Sequence, residues 1–222
     1  GSSRGAGRLR LMRSSVTCSL ALIWFCATTH AADVNVQVRT ADGQPVANAV
    51  VTIMPTAKGP GGPIKFTWPL RVGQRELAFD PFVLIVPAGA QVAFPNFDTV
   101  RHHVYSFSPA KKFEIQLYGH DETRSVAFPT AGVVAIGCNI HDKMSAFVFV
   151  TDTPYAAKTD ASGNATVAEV PAGAASAQIW HPQAVGTNQR IEQSLTVSAH
   201  AATTLTAALE LRAQRRVRHG AY

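Results

Sequence analysis

Between residues 82 and 151, short apolar runs alternate with turn-forming residues roughly every eight to twelve positions. That rhythm fits antiparallel sheet folded as a sandwich or barrel. The runs fall at 82–86, 91–94, 100–107, 113–117, 124–128, 132–137 and 146–151. The chain offers no convincing amphipathic helix longer than two turns; the stretch 205–217 has apolar spacing, but its threonines and missing N-cap argue against one. Upstream, Val34, Val36 and Val38 alternate with polar residues, a turn follows at 41–45, and residues 49–54 return as a second strand. This pattern predicts a hairpin, which is expected to pair into the central sheet because one hairpin alone is marginally stable. Residues 58–63 form a Gly/Pro-rich loop, and 64–80 show no period that places them. Past Pro154 the composition shifts to Ala, Thr, Ser and Gly, with a turn at 159–164 and strands expected at 165–170, 175–180 and 194–198.

The first 32 residues read as a secretory signal and not as fold. Arg4, Arg8, Arg10 and Arg13 precede the apolar stretch 20–27, and small residues lead to a cleavage point after Ala31 or Ala32. The stretch is too short for a comfortable membrane span. Residues 1–11, ahead of Met12-Arg13, read as a tag or upstream extension. Removing the leader leaves 16 lysines and arginines against 14 acids, and four of those arginines (Arg212, Arg215, Arg216, Arg218) crowd the tail. The basic excess therefore describes two ends, and no nucleic-acid binding face is expected. The anticipated product is an exported, periplasmic monomer with no transmembrane span.

Cys18 and Cys26 leave with the signal, so Cys138 stands alone. A single thiol in an oxidising compartment is a liability unless something occupies it. It opens the run Cys138-Asn139-Ile140-His141-Asp142-Lys143-Met144, directly after the apolar strand 133–136. Thiolate, imidazole and thioether thus sit two residues apart in one tight loop. A second imidazole source, His102-His103, lies in another strand-like run. Two histidines, a cysteine and a weakly held methionine are the ligand set of a mononuclear blue-copper electron-transfer site. Zinc accepts two histidines and a cysteine, but methionine is a poor fourth ligand for it. Strand alternation points His102 and His103 to opposite faces, so only one can meet the metal.

The segment from Phe82 to Val150 resembles a cupredoxin, with the Cys-x-x-His-x-x-Met spacing of amicyanin. The wider pattern is Phe94-Pro95-Asn96-Phe97-Asp98, then Arg101-His102-His103-Val104, then Gly137-Cys138-Asn139-Ile140-His141-Asp142. It resembles exported bacterial cupredoxin-like chains labelled methylamine-utilization proteins. The resemblance implies an all-β, Greek-key sandwich or barrel over 64–152, flanked by the N-terminal hairpin and loop (33–63), a small β-module (153–210) and a basic tail (211–222). The turn Asp160-x-x-Gly163 followed by Val170-Pro171-Ala172-Gly173 resembles carboxypeptidase-regulatory-like modules. Aligning His102-His103-Val104 with the family's His-Asn-Val makes His102 the ligand and His103 its alternative. His102, Cys138, His141 and Met144 would then bind one copper ion cycling between Cu(I) and Cu(II), supported by His103, Asn96 and Asn139.

The implied function is a non-enzymatic shuttle of single electrons to or from a quinoprotein dehydrogenase or a c-type cytochrome. A patch around Ile140, Pro95 and Phe97 would dock that partner. Two rival readings are a copper protein for delivery or sensing, and an envelope β-protein whose Cys138 is an inert thiol. His120, His181 and His200 lack partners in comparable motifs and are expected at the surface or in turns. Hydrolase, zincin and phosphate-loop motifs are absent from the sequence.

Overall fold

The computed structural model describes Gly1 and residues 30–212; residues 2–29, with most of the expected signal, and 213–222, with most of the expected basic tail, lie outside the described residues. The regular elements described are strands, apart from one short 3-10 turn: β1 (Ala31–Arg39), β2 (Val50–Pro55), β3 (Gly73–Arg75), β4 (Ala78–Asp80), β5 (Val83–Pro87), β6 (Ala90–Pro95), β7 (His102–Ser108), β8 (Lys111–Tyr118) and β9 (Thr123–Phe128). They continue as β10 (Gly132–Gly137), β11 (Ser145–Thr151), β12 (Ala156–Lys158), β13 (Asn164–Pro171), β14 (Gly173–Trp180), β15 (Arg190–Val197) and β16 (Thr203–Ala208). The protein is all-β, and the doubtful helix at 205–217 begins inside β16. Among the described residues, no helix is long and apolar enough to cross a membrane.

Strands β3 to β11 build a central sandwich. One sheet has the order β5-β11-β10-β7-β8, with β5 and β11 parallel and the other pairs antiparallel. The opposing layer is the pair β6-β9, to which residues 71–74 attach through bridges Arg71–Ala93 and Gln74–Asn96. Alternate residues of each strand fill the space between the layers, among them Val92, Phe94, Val104, Phe128, Val134 and Val148. A buried chain of hydrogen bonds runs from the Gln74 amide to the Tyr118 hydroxyl and on to the Phe94 carbonyl, tying β3, β8 and β6 together. Burial pushes the Tyr118 hydroxyl up to about 12.

The two ends of the chain combine into a second sandwich, and here the structure corrects the sequence reading. The turn at 40–44 forms as expected, closed by Thr40 N–H to the Gln44 carbonyl at 2.8 Å. Yet β1 and β2 are not a hairpin and do not join the central sheet. β1 lies between β13 and β16, whereas β2 lies in the facing sheet, order β12-β2-β14-β15. The switch occurs at Asn48, whose φ of 59° takes the backbone into the left-handed region. Buried Thr159 pins the crossing: its hydroxyl donates to Val46 O at 2.7 Å and accepts from Ala49 N–H at 2.8 Å. Val51 and Ile53 thereby face Val34, Val36 and Val38 across one core instead of standing beside them. Gly163 lets the neighbouring turn close against β1, since a Cβ there would lie 2.5 Å from Val38 O and its φ is +71°.

The outer face of β5 and β11 supplies the seam between the sandwiches. Val83, Ile85, Phe147 and Phe149 point away from the central core and pack on Val50, Ala156 and Trp180. Trp180 sits 5.5 Å from both Phe147 and Phe149. The unplaced segment 64–68 finds its position here: Phe66 stacks on Trp68 at 4.5 Å, and the Trp68 indole donates to Ile85 O at 2.8 Å. Burial on both faces explains why 82–86 and 146–150 read as continuous apolar runs.

His181 opens a turn, its carbonyl accepting Ala184 N–H at 2.9 Å, and it is 7 % exposed. Its Nδ1 accepts the Gln183 N–H at 3.2 Å and its ring also hydrogen-bonds the Ala47 backbone. Desolvation by burial holds its pKa below the ordinary value. The unfolded chain therefore binds more protons there, so the stability due to neutral His181 is complete above about pH 6.5 and is lost as pH falls. Urea midpoints measured from pH 7.5 down to 5 are expected to decline, and His181→Gln to flatten part of that decline. Trp180→Ala is expected to cost roughly 3–5 kcal/mol by the same measurement.

Candidate metal centre

Two strands set the site. On β10 the inward phase runs Val134, Ile136 and, one step past the strand end, Cys138, whose side chain is 3 % exposed. On β7 the inward phase runs His102, Val104 and Ser106, and His102 is fully buried. The β10–β11 connection closes on itself through the backbone. Cys138 N–H donates to Met144 O at 3.3 Å, and Met144 N–H donates to His141 O at 2.9 Å. That closure turns His141 back toward the cysteine while Met144 stays buried in the central core.

His102, Cys138 and His141 come together with all their donor atoms within 4.8 Å of one another. Cys138 Sγ lies 3.7 Å from His141 Nδ1 and 4.0 Å from His102 Nδ1. The two imidazoles meet edge to face at 5.0 Å and 62°. Donors bonded at about 2.0–2.3 Å to a common ion stand roughly 3.3–4 Å apart. The cluster therefore fits a single metal ion with little movement. His141 is the half-buried member. Of the expected docking patch, Ile140 is 48 % exposed and Phe97 36 %, while Pro95 is half-buried. Phe97 lies under the Arg75 guanidinium at 4.9 Å.

His102 Nε2 lies 2.7 Å from Asp98 Oδ2. The sequence pattern includes Asp98 without singling it out, although an acid four positions before a histidine is a readable signal. Burial opposes its ionisation, but hydrogen bonds from His102, Leu77 and Glu76 together hold its carboxyl below the usual range. Asn96 supports the same loop. Its side-chain amide donates to Val100 O at 2.9 Å and Tyr118 O at 3.2 Å, and its Oδ1 accepts Asp98 N–H at 2.9 Å.

The other two expected supports differ. His103 points to the outer face of β7, where Nε2 pairs with Glu114 Oε1 at 2.8 Å on β8. Its Nδ1 is buried without a partner, and it makes no bond to the cysteine loop. Alternation along β7 is the cause: with His102 inward, its neighbour must face out. Asn139 is exposed, because the loop closes through main-chain bonds and leaves that side chain in solvent. His120, as expected, is exposed in a turn, with Nδ1 3.1 Å from Asp98 O.

No family model matches this chain, and neither does any curated protein. Solved copper proteins resemble parts of it. A purple cupredoxin from Nitrosopumilus maritimus is 20 % identical at a TM-score of 0.34, over 36 % of this chain and 98 % of its own. A reduced tryptophan-to-tyrosine mutant of amicyanin is 19 % identical at 0.36, over 39 % and 86 %. A copper-containing nitrite reductase from Thermus scotoductus is 24 % identical at 0.37, over 53 % of this chain and 28 % of its own.

The geometry separates the two adjacent histidines. His102→Gln is expected to weaken copper binding by more than about 100-fold, beyond the usual loss for a residue outside the ligand set. His103→Gln is expected to leave it within about threefold. Chelator competition on both variants gives the comparison.

Proposed function

We propose that this chain is an exported copper protein that carries single electrons between redox partners. The observation that supports the reading best is the buried Cys138 thiol between two imidazole Nδ1 atoms at 3.7 and 4.0 Å. His102, Cys138 and His141 would hold the ion, with Met144, buried in the same core cluster as Cys138, as a candidate fourth donor. Thiolate and thioether select a soft metal, and imidazole suits copper in either oxidation state. A copper ion bound there supplies a one-electron couple.

The protein's part is to keep the donors in place and dry. His102 is fixed at the start of β7, and Cys138 follows the last residue of β10, which pairs with Ser145 of β11. Both donors are buried, so water has poor access to them. His141 is the part of the donor set that meets solvent, next to exposed Ile140. A partner docking there would lie against the edge of the site, in the small contact area typical of transient redox encounters. Following the sequence resemblance, that partner is a quinoprotein dehydrogenase or a c-type cytochrome. The basic and apolar leader supports export to the periplasm.

The test is a copper(II) titration of the mature chain beside Cys138→Ser, with voltammetry of the loaded protein. An intense visible thiolate-to-copper band at one equivalent, lost in the variant, with reversible one-electron cycling, is the expected outcome. Copper bound without reversible cycling would favour delivery or sensing. A colourless protein that binds none would leave an envelope β-protein with an inert thiol.

A further inference from the structure

A histidine can present either ring nitrogen to a metal, and the hydrogen bond made by the other nitrogen decides which. At His102 that bond goes to Asp98. The carboxylate is itself held. Its Oδ1 accepts Glu76 N–H at 2.6 Å and its Oδ2 accepts Leu77 N–H at 3.1 Å. Both donors sit at the centre of the β3–β4 turn, with φ of 54° and 58°. That left-handed pair aims two successive amides in one direction. The Asp98 backbone is fixed as well, by Asn96 Oδ1 on its N–H and by His120 on its carbonyl. The side chain is 13 % exposed. Held at these four points, it has little freedom to follow the imidazole or to leave it.

We infer that Asp98 is a positioning residue that locks His102 in the Nε2–H form, turns its Nδ1 lone pair toward Cys138, and anchors this donor to the β3–β4 turn. The lock works in the metal-free protein, because it is made entirely of bonds within the chain. A carboxylate on Nε2–H is a charge-assisted acceptor, and it makes Nδ1 a stronger donor. The more highly charged copper(II) gains more from that than copper(I) does. Asp98 should therefore favour the oxidised state.

The inference rests on the copper reading only for its effect on the metal; the tautomer stands without it. The experiment has two arms, on wild type, Asp98→Asn and Asp98→Ala. In the first, nitrogen-15 NMR of the metal-free proteins reads the His102 ring. Wild type is expected to be Nε2–H, Asp98→Asn to keep that form through its amide oxygen, and Asp98→Ala to show a mixture. In the second, copper affinity is measured in both oxidation states. Copper(II) affinity is expected to fall about 10- to 100-fold in the order Asp, Asn, Ala. Each tenfold loss specific to copper(II) raises the potential by about 59 mV.

A wild-type ring in the Nδ1–H form, or an Asp98→Ala ring that stays wholly in the Nε2–H form, would overturn the lock. Copper(II) affinities within threefold of wild type, with potentials shifted by less than about 30 mV, would overturn the tuning. If wild type shows the Nε2–H ring but binds no copper, the copper reading fails while the lock survives. Asp98→Asn keeps side-chain volume and an accepting oxygen, so if Asp98→Ala does not fold it carries the copper arm, and the wild-type ring state carries the tautomer arm.

Discussion

The phase of two strands governs this site. On β7 and β10 every second side chain enters the core, and the phase that buries Val104 and Val134 also buries His102 and Cys138. A shift of one residue on either strand would exchange His102 for His103 or send the thiol to solvent. Register is strongly specified where one face is buried, and both strands lie inside a five-stranded sheet with its core on that face. The donor set is thus held by the same apolar packing that holds the sandwich. The loop adds only what a short connection can: two main-chain hydrogen bonds that fold His141 back.

Much of this was legible in the sequence because period-2 alternation is a local property. The strands from 82 to 151 fell close to where turn residues punctuate them, and the spacing of Cys138, His141 and Met144 announced a folded-back loop. What escaped was long-range. The alternation of Val34, Val36 and Val38 says that β1 has one buried face, but not that β13 and β16 flank it. The turn at 40–45 looked like a hairpin turn, yet one left-handed residue, Asn48, and a buried threonine more than a hundred positions away send β2 into the facing sheet. Residues 64–68 have no period because their position comes from tertiary packing on Ile85 and not from a ladder.

At the site the limit was similar. Ligand types and spacing could be read from a single loop, whereas the groups that orient them arrive from elsewhere. Asp98 is four residues from His102, but its carboxylate matters because the β3–β4 turn grips it, and 64–80 carried no readable pattern. His103 is buried, which suits an inward residue as well as an outward one; its pairing with Glu114 on β8 decides the face. The second sandwich bears on the site indirectly. By covering the outer side of β5 and β11, it buries on both faces the strand that carries the loop's return. That stiffens the support from which Met144 and His141 project.

The central claim is that the chain presents one sulfur and two imidazole nitrogens in a prearranged cluster that serves both oxidation states. Copper K-edge X-ray absorption on the loaded protein, oxidised and reduced, tests it most directly. The account predicts one short copper–sulfur and two copper–nitrogen distances that change little between the two states. A shell of oxygen and nitrogen without that sulfur, or one that gains or exchanges donors on oxidation, would contradict it.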